Sequence, residues 1–237
     1  MSRLLIELVP LNFIKYRKIT NIHLQGFVYN LLKDTRYDFK HDTNGFKYFT
    51  YSNLFPVGDF KPGYVKKIII SSPINELINT VYYKLKTVDQ VELNKQPFIV
   101  RYIKKLKEHN HFQGFKTGTP ICLYTEKGDN NHFFSFKDLV LDYDFFFRRL
   151  KENALKKYNS YTGMEYWPEE DLFISFEFRK EVAHSLRNKQ GYRFLVIGSQ
   201  WDYLECNPNI RQDFYKFIYD VGLGEKNSLG YGFLNML

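Results

Sequence analysis

The chain opens on "RLLIELVP", an alternation of apolar and polar positions that predicts a strand. "TNIHLQGFVYNLLKD" follows, and its Leu24, Phe27, Val28 and Leu31 recur at helical spacing. Two β-branched or aromatic runs bounded by Gly, Pro and Asp, "GFKYFTYS" and "YVKKIIIS", predict two more strands. In "SSPINELINTVYYKLK", Ser72 and Pro73 supply a cap and a first-turn residue, while Ile74, Leu77, Ile78, Val81 and Leu85 form one stripe, so a second helix is expected. "PFIVRYIKKL" closes the unit as a fourth strand. The order returns after a polar stretch at residues 107–113. "TPICLYTE" and "HFFSF" read as strands, and Tyr143, Phe147, Leu150, Ala154 and Tyr158 as a helical stripe. "DLFISFEFR" and "YRFLVIGSQWDYL" are strands, Ile210, Phe214, Phe217, Ile218 and Val221 mark a last helix, and "YGFLNML" a last strand. The pattern predicts an α+β protein of two tandem ferredoxin-like (βαββαβ) domains, residues 1–110 and 111–237.

Composition changes this picture in two respects. No stretch of about 18 apolar residues occurs and the start "MSRLLIELVPLNF" lacks the apolar run and cleavage site of a signal peptide, which predicts a soluble, cytoplasmic protein with no membrane partner. Cys122 and Cys206 lie far apart, suggesting neither a disulfide framework nor a thiolate metal site. Charge is the more telling property. Residues 1–118 hold nineteen Lys and Arg against nine Asp and Glu (net +10), and residues 119–237 fifteen against seventeen (net −2), which gives the overall +8. The basic excess of the first half suits a polyanionic partner or a well-solvated basic surface.

Four of the 14 glycines crowd into "VGLGEKNSLGYGF", near the end of the chain. Gly222 falls where a left-handed residue commonly caps a helix. Gly230 and Gly232, two apart at the start of the last predicted strand, would bare one strand face. A nucleotide-binding GxGxxG leaves a strand and enters a helix, whereas this run leaves a helix and enters a strand, so Rossmann and P-loop readings do not fit. Two readings stay open: a sharp helix-to-strand turn, or an anion-binding platform to which Lys226, Asn227 and Ser228 add phosphate partners and Glu225 works against them.

"GLGEKNSLGYGF" resembles the C-terminal glycine-rich loop of the RAMP superfamily, and in particular of the CRISPR-associated endoribonucleases that process repeat RNA. "HDTNGFKYFTYSNLF", residues 41–55, is similar to that family's N-terminal segment, in which a histidine shortly precedes a strand, and "GTPICLYTE" with "LKENALKKYN" is similar to the opening of its second domain. The resemblance implies two ferredoxin-like domains, binding of CRISPR repeat RNA, and metal-independent cleavage within repeats that leaves a 2′,3′-cyclic phosphate and generates guide RNAs for antiviral defence. It implies no cofactor. Further partners would be other CRISPR-associated proteins of an interference complex, with the chain itself a monomer or homodimer. Two alternatives compete. One is a RAMP-type protein that holds repeat RNA without cutting it; the other is an unrelated pair of RRM-like domains, against which the absence of an RNP1-like string counts.

Metal-free RNA cleavage by the neighbouring 2′-OH needs a base, an acid for the 5′ oxygen, and a cation for the developing charge. The resemblance assigns His41, in a Gly/Asn/Asp-rich loop, as general base or acid, Tyr29 as its counterpart and Lys47 on the following strand as the charge stabiliser. Tyr29 lies well off the Leu24–Leu31 stripe and so need not be core. His23 is the reserve acid or base. Gly26, on the polar face, would admit RNA or the glycine loop. Lys15, Arg17, Lys18, Lys33, Arg36 and Lys40 gather around the first helix as the expected footprint of a phosphate backbone. With them go Gly222, Gly224, Lys226, Asn227, Ser228, Gly230 and Gly232 as RNA-binding candidates. His184 reads as an exposed residue of a basic turn, and the H-x-H at 109–111 lacks the further ligands of a metal site.

Overall fold

The alternation in "RLLIELVP" becomes strand β1 (Arg3–Pro10), which turns Leu4, Ile6 and Leu8 fully into the core. It runs at the centre of the first of two antiparallel sheets. The computed structural model describes residues 1–38, 45–125, 132–137, 142–187 and 191–237. They divide into two units, Met1–Glu108 with Ser228–Gly230, and His109–Asn227 with Tyr231–Leu237.

In the first unit β1 is followed by α1 (Asn21–Leu32), β2 (Thr50–Tyr51), β3 (Lys66–Ser71), α2 (Asn75–Lys86), β4 (Gln90–Leu93) and β5 (Gln96–Lys105). The sheet order is β2-β3-β1-β5-β4, the ferredoxin-like order with one extra strand, β4, hairpinned onto β5 at the edge. The sequence reading did not anticipate β4, whose "QVEL" is short and mostly exposed. Helix α1 starts on a reciprocal cap in which the Thr20 N–H donates to His23 Nδ1 at 3.1 Å, and it buries Leu24, Phe27, Val28, Leu31 and Leu32. The expected strand "GFKYFTYS" forms a ladder at Thr50 and Tyr51, and the Ser52 N–H donates on to the Ile69 carbonyl at 2.9 Å. Tyr48 takes a positive φ of 49°, which ends the extended run, so Lys47 stands before the strand and not on it.

A Cβ at Gly26 of α1 would meet nothing within 4 Å. Gly26→Ala is therefore expected to raise the unfolding free energy by about 1 kcal/mol, the helix-propensity difference, in urea titrations. No gain would mean that this face of α1 is already closely covered.

The second unit comprises β6 (Gly114–Thr117), α3 (Tyr143–Thr162), β7 (Phe173–Arg187), β8 (Arg193–Cys206), α4 (Gln212–Val221) and β9 (Leu234–Met236), with sheet order β7-β8-β6-β9. This is the same order again, as the pattern predicted. Asp142 caps α3 by accepting from the Phe145 N–H at 2.8 Å. Trp201 is 1% exposed, with the rings of Phe136, Phe146, Phe147, Phe176 and Phe178 between 5.1 and 5.9 Å from its own. The first strand lies earlier than "TPICLYTE" suggested. Pro120 has no N–H to give a ladder, and Ile121 and Cys122 form isolated bridges to Ser199 and Glu225 instead. Likewise "HFFSF" makes a single bridge, Phe133 to Tyr124. Among the described residues no helix is long and apolar enough to cross a membrane.

Candidate active site

Asn21, Gln25 and Tyr29 are spaced four apart, so they line one face of α1, away from its apolar stripe. That face grips two of the three loop residues that belong to the first unit, Ser228 and Leu229. Asn21 Nδ2 donates to the Leu229 carbonyl at 2.9 Å, and Gln25 Nε2 to the Ser228 carbonyl at 3.1 Å. Burial raises the Tyr29 phenol above the usual value, and the neighbouring side chains of Ser228 and Gln25 pull the other way. Its ring meets Phe49 edge-on at 5.9 Å. Tyr51 completes the arrangement by donating from its hydroxyl to the Asn21 carbonyl at 2.9 Å.

The structure thus brings together two of the residues singled out from sequence, Tyr29 and Ser228. Lys47, half-buried, lies two residues before Phe49 in the same unit. His41 and Lys40 lie outside the described residues. His23 has another task, because its Nδ1 is engaged by the N-cap of α1 and burial lowers its pKa. Of the basic footprint, Lys15 is bridged to Asp59 at 3.0 Å and Arg36 to Glu76, while Arg17, Lys18 and Lys33 are exposed with no carboxylate partner among the described residues.

The glycines correct the expectation of a bared strand face. Gly230 and Gly232 precede β9, are buried, and have φ of 81° and 71°. A Cβ at Gly230 would strike the Tyr51 ring, and one at Gly232 would land on the Leu223 carbonyl, 2.8 Å from its carbon. They are glycines because other parts of the protein occupy the space, which favours the turn reading over the platform at these two positions.

Asn227 also differs from its expected role as a phosphate partner. Its Nδ2 donates to the carbonyls of Leu223 and Tyr231, both at 3.0 Å, and its Oδ1 accepts from Lys157 Nζ at 2.8 Å. Lys157 is 2% exposed and donates also to the carbonyls of Gly222 at 2.8 Å and Gly224 at 3.0 Å. Burial pushes its ammonium down to about 7, with the Glu225 carboxylate opposing. Lys226 is the exposed cation of the loop, with Nζ 5.4 Å from the Tyr124 ring centre.

His184 proves to sit on β7, half-buried, with Nδ1 2.9 Å from the Tyr231 hydroxyl. Burial lowers its pKa and raises that of Tyr231. The residues missed from sequence were legible in part. Asn21 and Gln25 share Tyr29's spacing, and Lys157 interrupts an apolar stripe between Ala154 and Tyr158, the mark of a buried and therefore partnered charge.

Two ferredoxin-like units, the first with a helix tyrosine beside a glycine-rich segment, define a tandem ferredoxin-like protein. Residues 103–236 match the family described as "CRISPR associated protein Cas6, C-terminal". The chain is 40% identical over 248 residues to the CRISPR-associated endoribonuclease Cas6 2 of Methanocaldococcus jannaschii, covering 98% of both. It is 27% identical over 250 residues to the CRISPR-associated endoribonuclease Cas6 of Pyrococcus furiosus, covering 99% of this chain and 89% of the relative. A solved structure described as "CRISPR associated protein Cas6" superposes with a TM-score of 0.72 at 26% identity, covering 100% of this chain and 99% of the other. The chain belongs to the Cas6 family.

Proposed function

We propose that this protein is an endoribonuclease that cuts CRISPR precursor RNA within its repeats, without a metal, to produce guide RNAs. The observation that carries the reading is the 40% identity, over 98% of both chains, to a relative named a CRISPR-associated endoribonuclease. The polar stripe of α1, which seats Tyr29 against Ser228, agrees with it. In the reaction the 2′-OH beside the scissile phosphate gives up its proton and its oxygen bonds to phosphorus. The P–O5′ bond breaks, and the departing 5′ oxygen takes a proton, leaving a 2′,3′-cyclic phosphate. His41 and Tyr29 exchange these two protons, and Lys47 stabilises the charge on the phosphorane-like transition state. The first domain carries this chemistry, and Arg17, Lys18, Lys33, Arg36, Lys40 and Lys226 contribute the sequence-independent attraction to the RNA backbone.

Incubation of the protein with repeat RNA in the presence of a chelator is expected to give one discrete cut. Absence of cutting with binding intact would favour the non-cleaving RAMP protein. General acid–base catalysis is worth about 10²–10⁴-fold, so His41→Ala should slow single-turnover cleavage at least about 10²-fold with little change in filter binding. Undiminished cleavage by His41→Ala would sink that assignment.

A further inference from the structure

We propose that Lys157 is a positioning residue for the cleavage reaction: its buried ammonium, acting through Asn227, sets the backbone on both sides of the Ser228–Gly230 triplet. The inference rests on the endoribonuclease reading above and adds to it a residue that touches no RNA.

The geometry is that of a clamp. Lys157 Nζ meets three oxygens, of Gly222, Gly224 and Asn227, at 2.8, 3.0 and 2.8 Å. Only the charged form of a lysine has three N–H groups for three acceptors. Gly222 is the C-cap of α4, where carbonyls are left open and the helix dipole is negative, so a cation is electrostatically favoured there. One turn earlier on α3, Asn153 donates to the Glu225 carboxylate at 2.7 Å, which places a negative charge near the ammonium. Asn227 passes the constraint on. While its Oδ1 is held by Lys157, its Nδ2 ties the Leu223 carbonyl to that of Tyr231, and the Tyr231 N–H returns to the Lys226 carbonyl at 3.3 Å. The residues on either side of the triplet are thereby fastened to each other, and the triplet is a short excursion with a closed neck. Ser228, its first residue, gives its carbonyl to Gln25 Nε2 at 3.1 Å, one turn before Tyr29 on α1, and its side chain lies beside the Tyr29 hydroxyl. Displacing a reacting group by about 1 Å can cost about 10²-fold in rate, so a loosened neck should be read in the chemical step.

The test is single-turnover cleavage of repeat RNA at saturating protein, together with hydrogen exchange of the backbone amides of residues 223–231. Lys157→Met is expected to lower the saturated rate at least about tenfold and to speed exchange in that segment, with no recovery of rate at higher protein concentration. Asn227→Ala should do the same with Lys157 intact, and the double variant should be no slower than the worse single one, since both break one network. Leu150→Ala, a fully buried core change on the same helix, controls for stability alone and should lower the unfolding midpoint while leaving the saturated rate within about twofold. A folded Lys157→Met protein with the wild-type saturated rate overturns the proposal, as do additive losses in the double variant. If Lys157→Met does not fold, an Asn227→Ala protein with full rate overturns it equally. Wild-type protein that fails to cut repeat RNA overturns the endoribonuclease reading itself, and is told apart from the other outcomes because no variant is then compared.

Discussion

A repeat RNA carrying a single 2′-deoxy nucleotide at the cut site will bind as the unmodified repeat does and will not be cut. The substitution removes one oxygen. The phosphates remain, and with them the attraction proposed for Arg17, Lys18 and Lys33, so affinity and its decline with salt should be unchanged between about 50 and 200 mM. The bond-forming atom is gone, so cleavage has no nucleophile. A chelator should leave cutting of the unmodified RNA untouched, because the proposed attack is by a ribose oxygen and not by a metal-activated water. Binding by filter retention and cutting on a denaturing gel, each with and without chelator, decide the matter. Cleavage of the deoxy RNA would refute ribose attack, and chelator-sensitive cleavage of the normal RNA would bring in a metal.

The second large effect concerns stability. Gly232→Ala is expected to destabilise the protein by at least about 3 kcal/mol, two contributions acting together. A left-handed backbone conformation costs a residue with a Cβ about 1–2 kcal/mol, and Gly232 has a φ of 71°. The Cβ would also land on the Leu223 carbonyl, which is an acceptor for Asn227 Nδ2, and its residue donates to the Gly232 carbonyl at 3.0 Å. Relief would require breaking one of those hydrogen bonds inside a buried turn. Urea unfolding followed by circular dichroism measures it. A change smaller than about 1 kcal/mol would mean that the turn can shift without cost, contrary to its packing. The same exchange at Gly26, in open space on a helix, has the opposite expected sign, so glycine's role here depends on what lies where its side chain would be.

The comparison explains what was legible in the sequence. The long periodic segments β1, α1, α2, α3 and α4 each carry enough apolar positions for the period to be unambiguous, whereas β7 runs on to Arg187, past the expected strand and through the stretch around His184 that reads as a turn. The glycine-rich segment and its family were legible because the motif is rare in that place. Its geometry was not, because whether a glycine bares a surface or avoids a clash depends on residues far away in the chain, such as Tyr51 opposite Gly230. Short strands failed for a related reason. Four or five β-formers in "GFKYFTYS" or "HFFSF" do not decide between pairing and coil, and one left-handed Tyr48 settled the first. The family resemblance singles out Tyr29 and helical spacing puts it off the apolar stripe, but its neighbours Asn21 and Gln25 become meaningful only with the loop carbonyls beside them.

That last pairing has a consequence for how the protein is made. Gln25 and the carbonyl it holds are 203 positions apart in the chain, and Asn21 and its carbonyl 208. During translation α1 precedes its loop partners, and its polar face stays hydrated until residues 228 and 229 have been synthesised. A nascent chain interrupted before residue 228 carries Tyr29 with no Ser228 to hold it, so a stalled or prematurely terminated product has an incomplete site. Synthesis of residues 228–230, and not folding of the leading part alone, supplies the segment that completes the tyrosine's surroundings.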